Sequence, residues 1–386
     1  MALSNIKKLS IGLLSLSLLV GVATLVEYGA FLKTPLPALS TTESVSFEVE
    51  EVAAGLEVPW SMVWTGNDRM LIAERPGRIR VLENGVLRNQ PLYTFTDVAT
   101  GGEEGLMSLA VSPWYQDDRR VYAALVYEST EKLFLKVVRL LDNGDQMVMD
   151  GVVIDAIPAA RFHAGSRIAF GPDGKLYITT GDATNRADAQ NIALLVGKTL
   201  RLNPDGSIPA DNPYPSSPVW SSGHRNAQGI TWDERTGEQY QSEHGPSVFD
   251  GPAGGDEINL VVRGGNYGWP LVSHGETKEG TRAPIQTFTP AEAPGSLMSY
   301  SGEVFSEYNG NLFFGALKGE GLVRLVLSPD TPDHIQSVEK LPGIAFGRIR
   351  DVAQGPDGFI YFTTSNRDGR GAPATADDRI LRLIPR

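Results

Sequence analysis

The sequence predicts an all-β protein, a six-bladed β-propeller of four-stranded antiparallel blades. Three observations carry that prediction. One strand ending recurs six times: Arg78-Ile-Arg-Val81, Val137-Val-Arg-Leu140, Thr199-Leu-Arg-Leu202, Glu257-Ile-Asn-Leu260, Leu322-Val-Arg-Leu325 and Ile380-Leu-Arg-Leu383. The third residues of these copies, Arg80, Arg139, Arg201, Asn259, Arg324 and Arg382, stand 58 to 65 residues apart, and a period of that size marks a repeat architecture. A second phrase precedes it. Phe170–Thr180 and Gln354–Thr364 both read as a short apolar strand, a Gly-Pro-Asp-Gly turn and an alternating strand, with weaker echoes at Val63–Ile72 and Tyr308–Phe314. This is a hairpin, to which the Arg-Leu phrase adds a third strand. Finally, few stretches carry a 3.6-residue apolar period, and the 42 glycines and 25 prolines are spread along the chain as tight turns require.

Taken in order, the chain divides into three parts. Lys7 and Lys8 precede an uncharged run, Leu9 to Val26, that ends at Glu27. Residues 1–26 therefore read as an export signal, with Gly21-Val-Ala23 as a cleavage site, or as a retained N-terminal membrane anchor. The expected location is periplasmic, soluble or tethered. Residues 27–45 form a linker and 46–386 the propeller. Ser46–Val52 alternates like a strand and is expected to complete the last blade and close the ring. The repeated arginines are expected to be structural, either exposed or paired between blades.

Composition bounds the chemistry. A net charge of −12 disfavours a nucleic-acid role, which needs a basic face. The absence of cysteine removes disulfides, thiol catalysis and thiolate metal sites.

Position within the repeat then selects candidates. Ahead of the innermost strands stand Gly102-Glu-Glu-Gly-Leu106, Phe162-His-Ala-Gly-Ser166, Gly223-His-Arg-Asn-Ala-Gln-Gly229 and Gly347-Arg-Ile-Arg-Asp351. Equivalent positions of a propeller converge at one end of the channel, so Glu103, His163, Arg225, Arg348 and Arg350 should meet there, with Lys318 nearby. Clustered guanidinium groups in a concave site favour a multiply anionic ligand. His163 can act as a general base, and Asp182, after the hairpin, can orient it. The Gly-rich acidic stretch Glu243–Glu257 can wrap oxygens around calcium.

At these residues the chain resembles the soluble quinoprotein glucose/sorbosone dehydrogenase family, especially its aldose sugar dehydrogenase branch. The resemblance runs through His163-Ala-Gly-Ser-Arg-Ile168, Gly181-Asp182, Gly223–Gly229, Ser242-Glu-His-Gly-Pro246, Gly255-Asp-Glu-Ile-Asn259, Gly265-Asn-Tyr-Gly-Trp-Pro270 and Arg348–Asp351. It implies pyrroloquinoline quinone (PQQ) and Ca2+ as cofactors, an aldose sugar as substrate and an external electron acceptor (quinone, dye or cytochrome). By the same resemblance His163 is the base for the C1 hydroxyl, Asp182 supports it and Arg225 stabilises charge on the quinone. Glu103, Arg225, Asn226, Lys318, Arg348 and Arg350 contact the cofactor. The carbonyls of Gly245 and Pro246 bind a calcium that grips PQQ, and Glu257 with the Tyr267 carbonyl binds a second. The chain departs from the glucose-oxidising members at Glu103, where they have Gln, and at Phe162, where they have Asp. Two rival readings are a calcium-dependent lactonase or esterase on the same fold, and a non-enzymatic propeller that binds saccharide or protein.

Overall fold

A computed structural model describes residues 45–386. The expected export or anchor segment and all but the last residue of the linker lie outside the described residues. No helix of the described residues is long and apolar enough to cross a membrane.

The six sheets follow the chain in order. Blade one holds β2 (Pro59–Gly66), β3 (Arg69–Glu74) and β4 (Arg78–Glu83), with its outer strand split into β5 (Val86–Leu87) and β6 (Tyr93–Thr94), both paired to β4. Blade two is β7 (Leu106–Val111), β8 (Arg120–Ser129), β9 (Lys132–Asp142) and β10 (Met147–Ala159). Blade three is β11 (Ile168–Phe170), β12 (Leu176–Thr179), β13 (Lys198–Leu202) and β14 (Val219–Ser222), and blade four is β15 (Ala227–Trp232), β16 (Gln239–Glu243), β17 (Asp256–Val261) and β18 (Gln286–Phe288). Blade five comprises β19 (Pro294–Ser299), β20 (Leu312–Ala316), β21 (Gly321–Leu327) and β22 (Ile335–Lys340). Blade six comprises β23 (Ile349–Gln354), β24 (Ile360–Thr364) and β25 (Ile380–Pro385), and takes its outer strand from the start of the domain, β1 (Phe47–Ala53). Phe47 pairs with Pro385 and Glu50 with Arg382, so the ring closes on hydrogen bonds between the two ends of the domain, as the alternation in Ser46–Val52 predicts.

Both repeated phrases have a physical partner. The phrase ending in Arg-Leu lies on the third strand of each blade. In blade three the Asp173 carboxylate of the hairpin turn accepts from Tyr177 Oη (3.1 Å) and Arg201 Nε (2.9 Å). In blade six Asp357 does the same for Tyr361 (2.8 Å) and Arg382 (3.3 Å). The remaining arginines bind acids or carbonyls of their own blade: Arg80 with Glu74, Arg139 with Asp150 and Arg324 with Glu339. This corrects the expectation of pairing between blades. Apolar side chains also pack between blades. Tyr122, Ala124 and Val137 of blade two meet Ile168, Ile178 and Leu200 of blade three in one buried cluster.

The innermost strands β2, β7, β11, β15, β19 and β23 touch in cyclic order around the channel. Each runs from the end that carries the candidate residues toward its hairpin turn. Glu103, His163 and Arg225 therefore precede β7, β11 and β15 at the same end, with Arg350 the second residue of β23.

Candidate active site

The centre of the site is a chain of polar contacts through His163. Its Nδ1 lies 2.8 Å from Asp182 Oδ1, and Arg225 Nη2 lies 2.9 Å from its Nε2. A guanidinium can only donate, so Nε2 is the acceptor and Nδ1 carries the proton that Asp182 receives. The lone pair on Nε2 therefore faces Arg225. Asp182 is fully buried and satisfied: Oδ1 also accepts from Thr184 N–H (2.8 Å), and Oδ2 accepts from Trp269 Nε1 (2.8 Å). Arg225 is held from behind by Asp250 Oδ2 (2.9 Å from Nε) and by the His244 carbonyl (3.1 Å from Nη1). Burial alone would raise the Asp250 carboxyl, but its hydrogen bond and attraction to Arg225 prevail and hold it below the usual range.

The backbone that presents this set is strained. His163, Ser166, Ala183 and Thr184 all have positive φ, at 56°, 76°, 50° and 66°. Such residues persist only where their surroundings over-determine them, and they cluster at functional sites. Gly181 explains the tightness here. A Cβ at that position would lie 1.7 Å from the His163 carbonyl oxygen, so the strand end before Asp182 and the segment that bears His163 can approach only because residue 181 has no side chain.

These residues open on a cavity of about 790 Å³, lined by Glu103, Phe162, His163, Arg225, Asn226, His244, Gly245, Pro246 and Lys318 among others. Asn226 directs its Oδ1 to Gly165 N–H (3.0 Å), which fixes the turn after His163. Glu103 accepts from Arg370 (2.9 Å) and approaches the His163 N–H (3.4 Å). Arg348 and Arg350 do not line the cavity surface. Both are buried, at 9% and 6% exposure. Arg348 binds Asp368 twice, at 2.9 and 2.8 Å, and the Leu317 carbonyl at 2.7 Å. Arg350 shares Asp368 at only 3.8 Å, donates to Gln228 Oε1 (2.7 Å), and has a buried Nε with no partner among the described residues. Its burial, only partly offset by Asp368, lowers its pKa to about 10.

The candidate metal residues fall in two places. Gly245 and Pro246 line the cavity, and the Pro246 carbonyl accepts from Gly254 N–H at 3.2 Å. Glu257 is buried opposite Glu243 in the register of β16 and β17. Burial first, and the Glu243 charge second, push its carboxyl well above the ordinary range. Tyr267 stacks on His224 with ring centroids 4.8 Å apart, and His224 in turn contacts Glu243 Oε2 at 2.8 Å.

Sequence position did not flag Trp269, Asp250, Arg370 or His244 as site residues. All four stand on connections between strands, where the repeat gives no register. Of these, His244 is held neutral down to about pH 3, by burial and then by the charges of Arg350 and Arg225. Ser221 Oγ, His224 and Glu243 also form a nucleophile–base–acid sequence, at 2.8 and 2.8 Å. They are 0%, 0% and 3% exposed, so no substrate reaches them, and they do not make an esterase site. Among the described residues no group of three or more acidic or histidine side chains could hold a channel metal, as the lactonase reading needs.

Known proteins similar to this chain in sequence and fold include sugar dehydrogenases. The profile of the glucose/sorbosone dehydrogenase family matches residues 56–382. The chain is 29% identical to the aldose sugar dehydrogenase YliI of Escherichia coli, across 92% of this chain and 99% of that one. Its fold overlays the PQQ-bound aldose sugar dehydrogenase of Streptomyces coelicolor with a TM-score of 0.77 and 32% identity, covering 88% and 98% of the two chains. An oxidoreductase of Thermus thermophilus, provisionally assigned as a glucose dehydrogenase, gives a TM-score of 0.81 at 43% identity, covering 88% and 100%.

Proposed function

This chain belongs to the glucose/sorbosone dehydrogenase family, a family of oxidoreductases, and we propose that it oxidises aldose sugars at C1 to the lactone with PQQ and Ca2+. The observation that carries the reading is the Asp182–His163–Arg225 chain at the wall of a cavity, with the imidazole Nε2 as hydrogen-bond acceptor.

The residues present fit both groups. PQQ is a tricarboxylate; Lys318 lines the cavity, and Arg350 offers a buried Nε without a partner among the described residues. Two opposed buried carboxylates, Glu243 and Glu257, suit a hard divalent cation, and the carbonyls of Gly245 and Pro246 offer oxygen donors on the cavity wall. Asn226, Lys318, Arg348 and Arg350, with Glu103 at the rim, would hold the quinone. Bound there, PQQ would supply the two-electron acceptor and calcium would grip and polarise it.

The remaining steps fall to the side chains. His163 Nε2 takes the proton from the sugar C1 hydroxyl. Asp182, on the far nitrogen, fixes the tautomer and stabilises the imidazolium that forms. Arg225 must release Nε2 for the hydroxyl to reach it. Freed from the imidazole but still clamped by Asp250 and the His244 carbonyl, its guanidinium would stabilise the negative charge that develops on a bound quinone as it accepts the hydride from C1. Electrons then leave to an external acceptor, a quinone, dye or cytochrome. Export to the periplasm, with cleavage or retention of residues 1–26, is part of the same proposal.

The test is reconstitution of cofactor-free protein with PQQ and Ca2+, followed by aldose-dependent dye reduction over a sugar panel. Turnover is expected in the native chain, and His163→Ala should abolish it while retaining PQQ. No activity together with no PQQ retention would sink the reading.

A further inference from the structure

Trp269 touches both halves of the His163 system. Its indole N–H takes Asp182 Oδ2 (2.8 Å), the oxygen that His163 does not use. Its ring face lies under the Arg225 guanidinium, 5.4 Å from ring centroid to Cζ. The residue is 5% exposed, and its backbone is fixed at both ends. Trp269 N–H donates to the Gly223 carbonyl (2.9 Å), just ahead of Arg225, and its own carbonyl accepts from Gln190 Nε2 (2.7 Å). Gln190 is locked in turn by a reciprocal pair with the Asn266 amide, at 3.0 and 2.8 Å. The indole is therefore a fixed reference surface, and the two side chains that contact the imidazole nitrogens both rest on it.

The chemistry needs such a surface. A carboxylate that accepts on one oxygen alone can swing about its terminal torsion, which is broad. The N–H on Oδ2 removes that freedom and aims Oδ1 at His163 Nδ1. A guanidinium over an aromatic face is attracted to it, which restrains Arg225 in the plane that meets Nε2.

We propose that Trp269 is a positioning residue for sugar oxidation: it aligns Asp182 on one side of His163 and Arg225 on the other. This rests on the reading of His163 as the base. The other charged or titratable groups that face His163 are Glu103 ahead of β7, Arg370 from the β24–β25 connection, and His244 and Asp250 from the β16–β17 connection. Among the described residues only Asp182 and Arg225 hydrogen-bond its ring nitrogens, and both meet the Trp269 side chain.

The experiment is an NMR titration of the His163 imidazole in cofactor-free protein, comparing the native chain with Trp269→Phe. Without the N–H, Asp182 keeps more of its charge for the imidazolium, and Arg225 sits less firmly against Nε2. Both changes move the His163 midpoint to higher pH. In PQQ-loaded enzyme the same substitution should lower kcat about tenfold, the scale of one charge-assisted hydrogen bond, with the sugar KM within about twofold. The acid limb of the kcat/KM profile should move the same way as the NMR midpoint. If Trp269→Phe fails to fold, the benzothienyl analogue of tryptophan at position 269 keeps the bicyclic shape and lacks only the donor. A folded variant with an unmoved His163 titration overturns the proposal. A moved titration in a protein that oxidises no sugar upholds the Trp269 arrangement and rejects the dehydrogenase reading, so the two failures are distinct.

Discussion

Glu243 and Glu257 stand opposite one another on β16 and β17, 3% and 8% exposed, with no side-chain cation paired to Glu257 among the described residues. Two buried carboxylates in register repel unless a proton or a metal ion lies with them. Burial first, and the Glu243 charge second, push the Glu257 carboxyl well above the ordinary carboxylate range in the metal-free protein.

A calcium ion at this pair would favour the ionised carboxylates and so oppose that upward shift. Titration of the metal-free chain with Ca2+ at neutral pH is expected to release protons, read as a buffer-dependent heat. Saturation near a hundred times Kd should stabilise the fold by about 2.7 kcal/mol. Glu257→Gln should lose most of both effects. An unchanged melting temperature in millimolar Ca2+ would count against a metal at this pair.

Lys198 predicts a pH dependence of stability. Its ammonium is buried and donates to the carbonyls of Asp188 (3.0 Å), Ala189 (2.9 Å) and Val196 (2.7 Å), where burial lowers its pKa from 10.5 to about 8. Between those values the unfolded chain keeps a proton that the folded chain has lost, so the contribution of this residue to stability rises with pH over that window. The unfolding free energy of the native chain, minus that of Lys198→Met, should climb by up to roughly 3 kcal/mol between pH 7 and 11. A flat difference in urea titrations would contradict it.

Gly181→Ala places a methyl group 1.7 Å from the His163 carbonyl, and backbone on both sides cannot yield cheaply. We expect a loss of about 3 kcal/mol or more in thermal or urea unfolding, with turnover abolished. Gly66→Ala, where nothing lies within 4 Å, should fall within about 0.5 kcal/mol of the native chain. Similar losses at the two positions would show that the contact is not tight.

Phe162 sets the character of the cavity mouth. It is 47% exposed, Arg370 lies over its ring at 5.8 Å, and Arg370 is tied to Glu103. Phe162→Asp would offer a carboxylate to sugar hydroxyls and leave the core untouched. On the proposed function, kcat/KM for monosaccharide aldoses should rise about tenfold, the scale of one charged hydrogen bond. Steady-state kinetics over the sugar panel decides it, and a fall for every sugar would show that the aromatic ring itself supports binding.

Much of this frame was legible in the chain because strand physics is local. Alternation, Pro-Asp-Gly turns and a fixed period are set by residues within a few positions of one another. The third strands, the hairpins and the closing strand Phe47–Ala53 therefore stand where the sequence places them. Equivalence between repeats also points His163 and Arg225 to one end of the channel, and the place of Asp182 after the hairpin sets it beside His163. The arginines showed where this reasoning runs out. Arg348 and Arg350 share the position of Arg225 in the repeat, yet both are buried, and Arg348 is bound to Asp368 from a blade-six connection, a partner the repeat does not predict.

The sequence by itself determined six blades, their closure and which strand ends face the channel, since each depends on short-range patterns repeated along the chain. Only the tertiary structure decided which partners the functional groups keep. Trp269 meets Asp182 across 87 residues and Arg225 meets His163 across 62. Both contacts are made by segments between strands, which carry no period, and their side-chain directions are fixed only once the blades have packed into the ring.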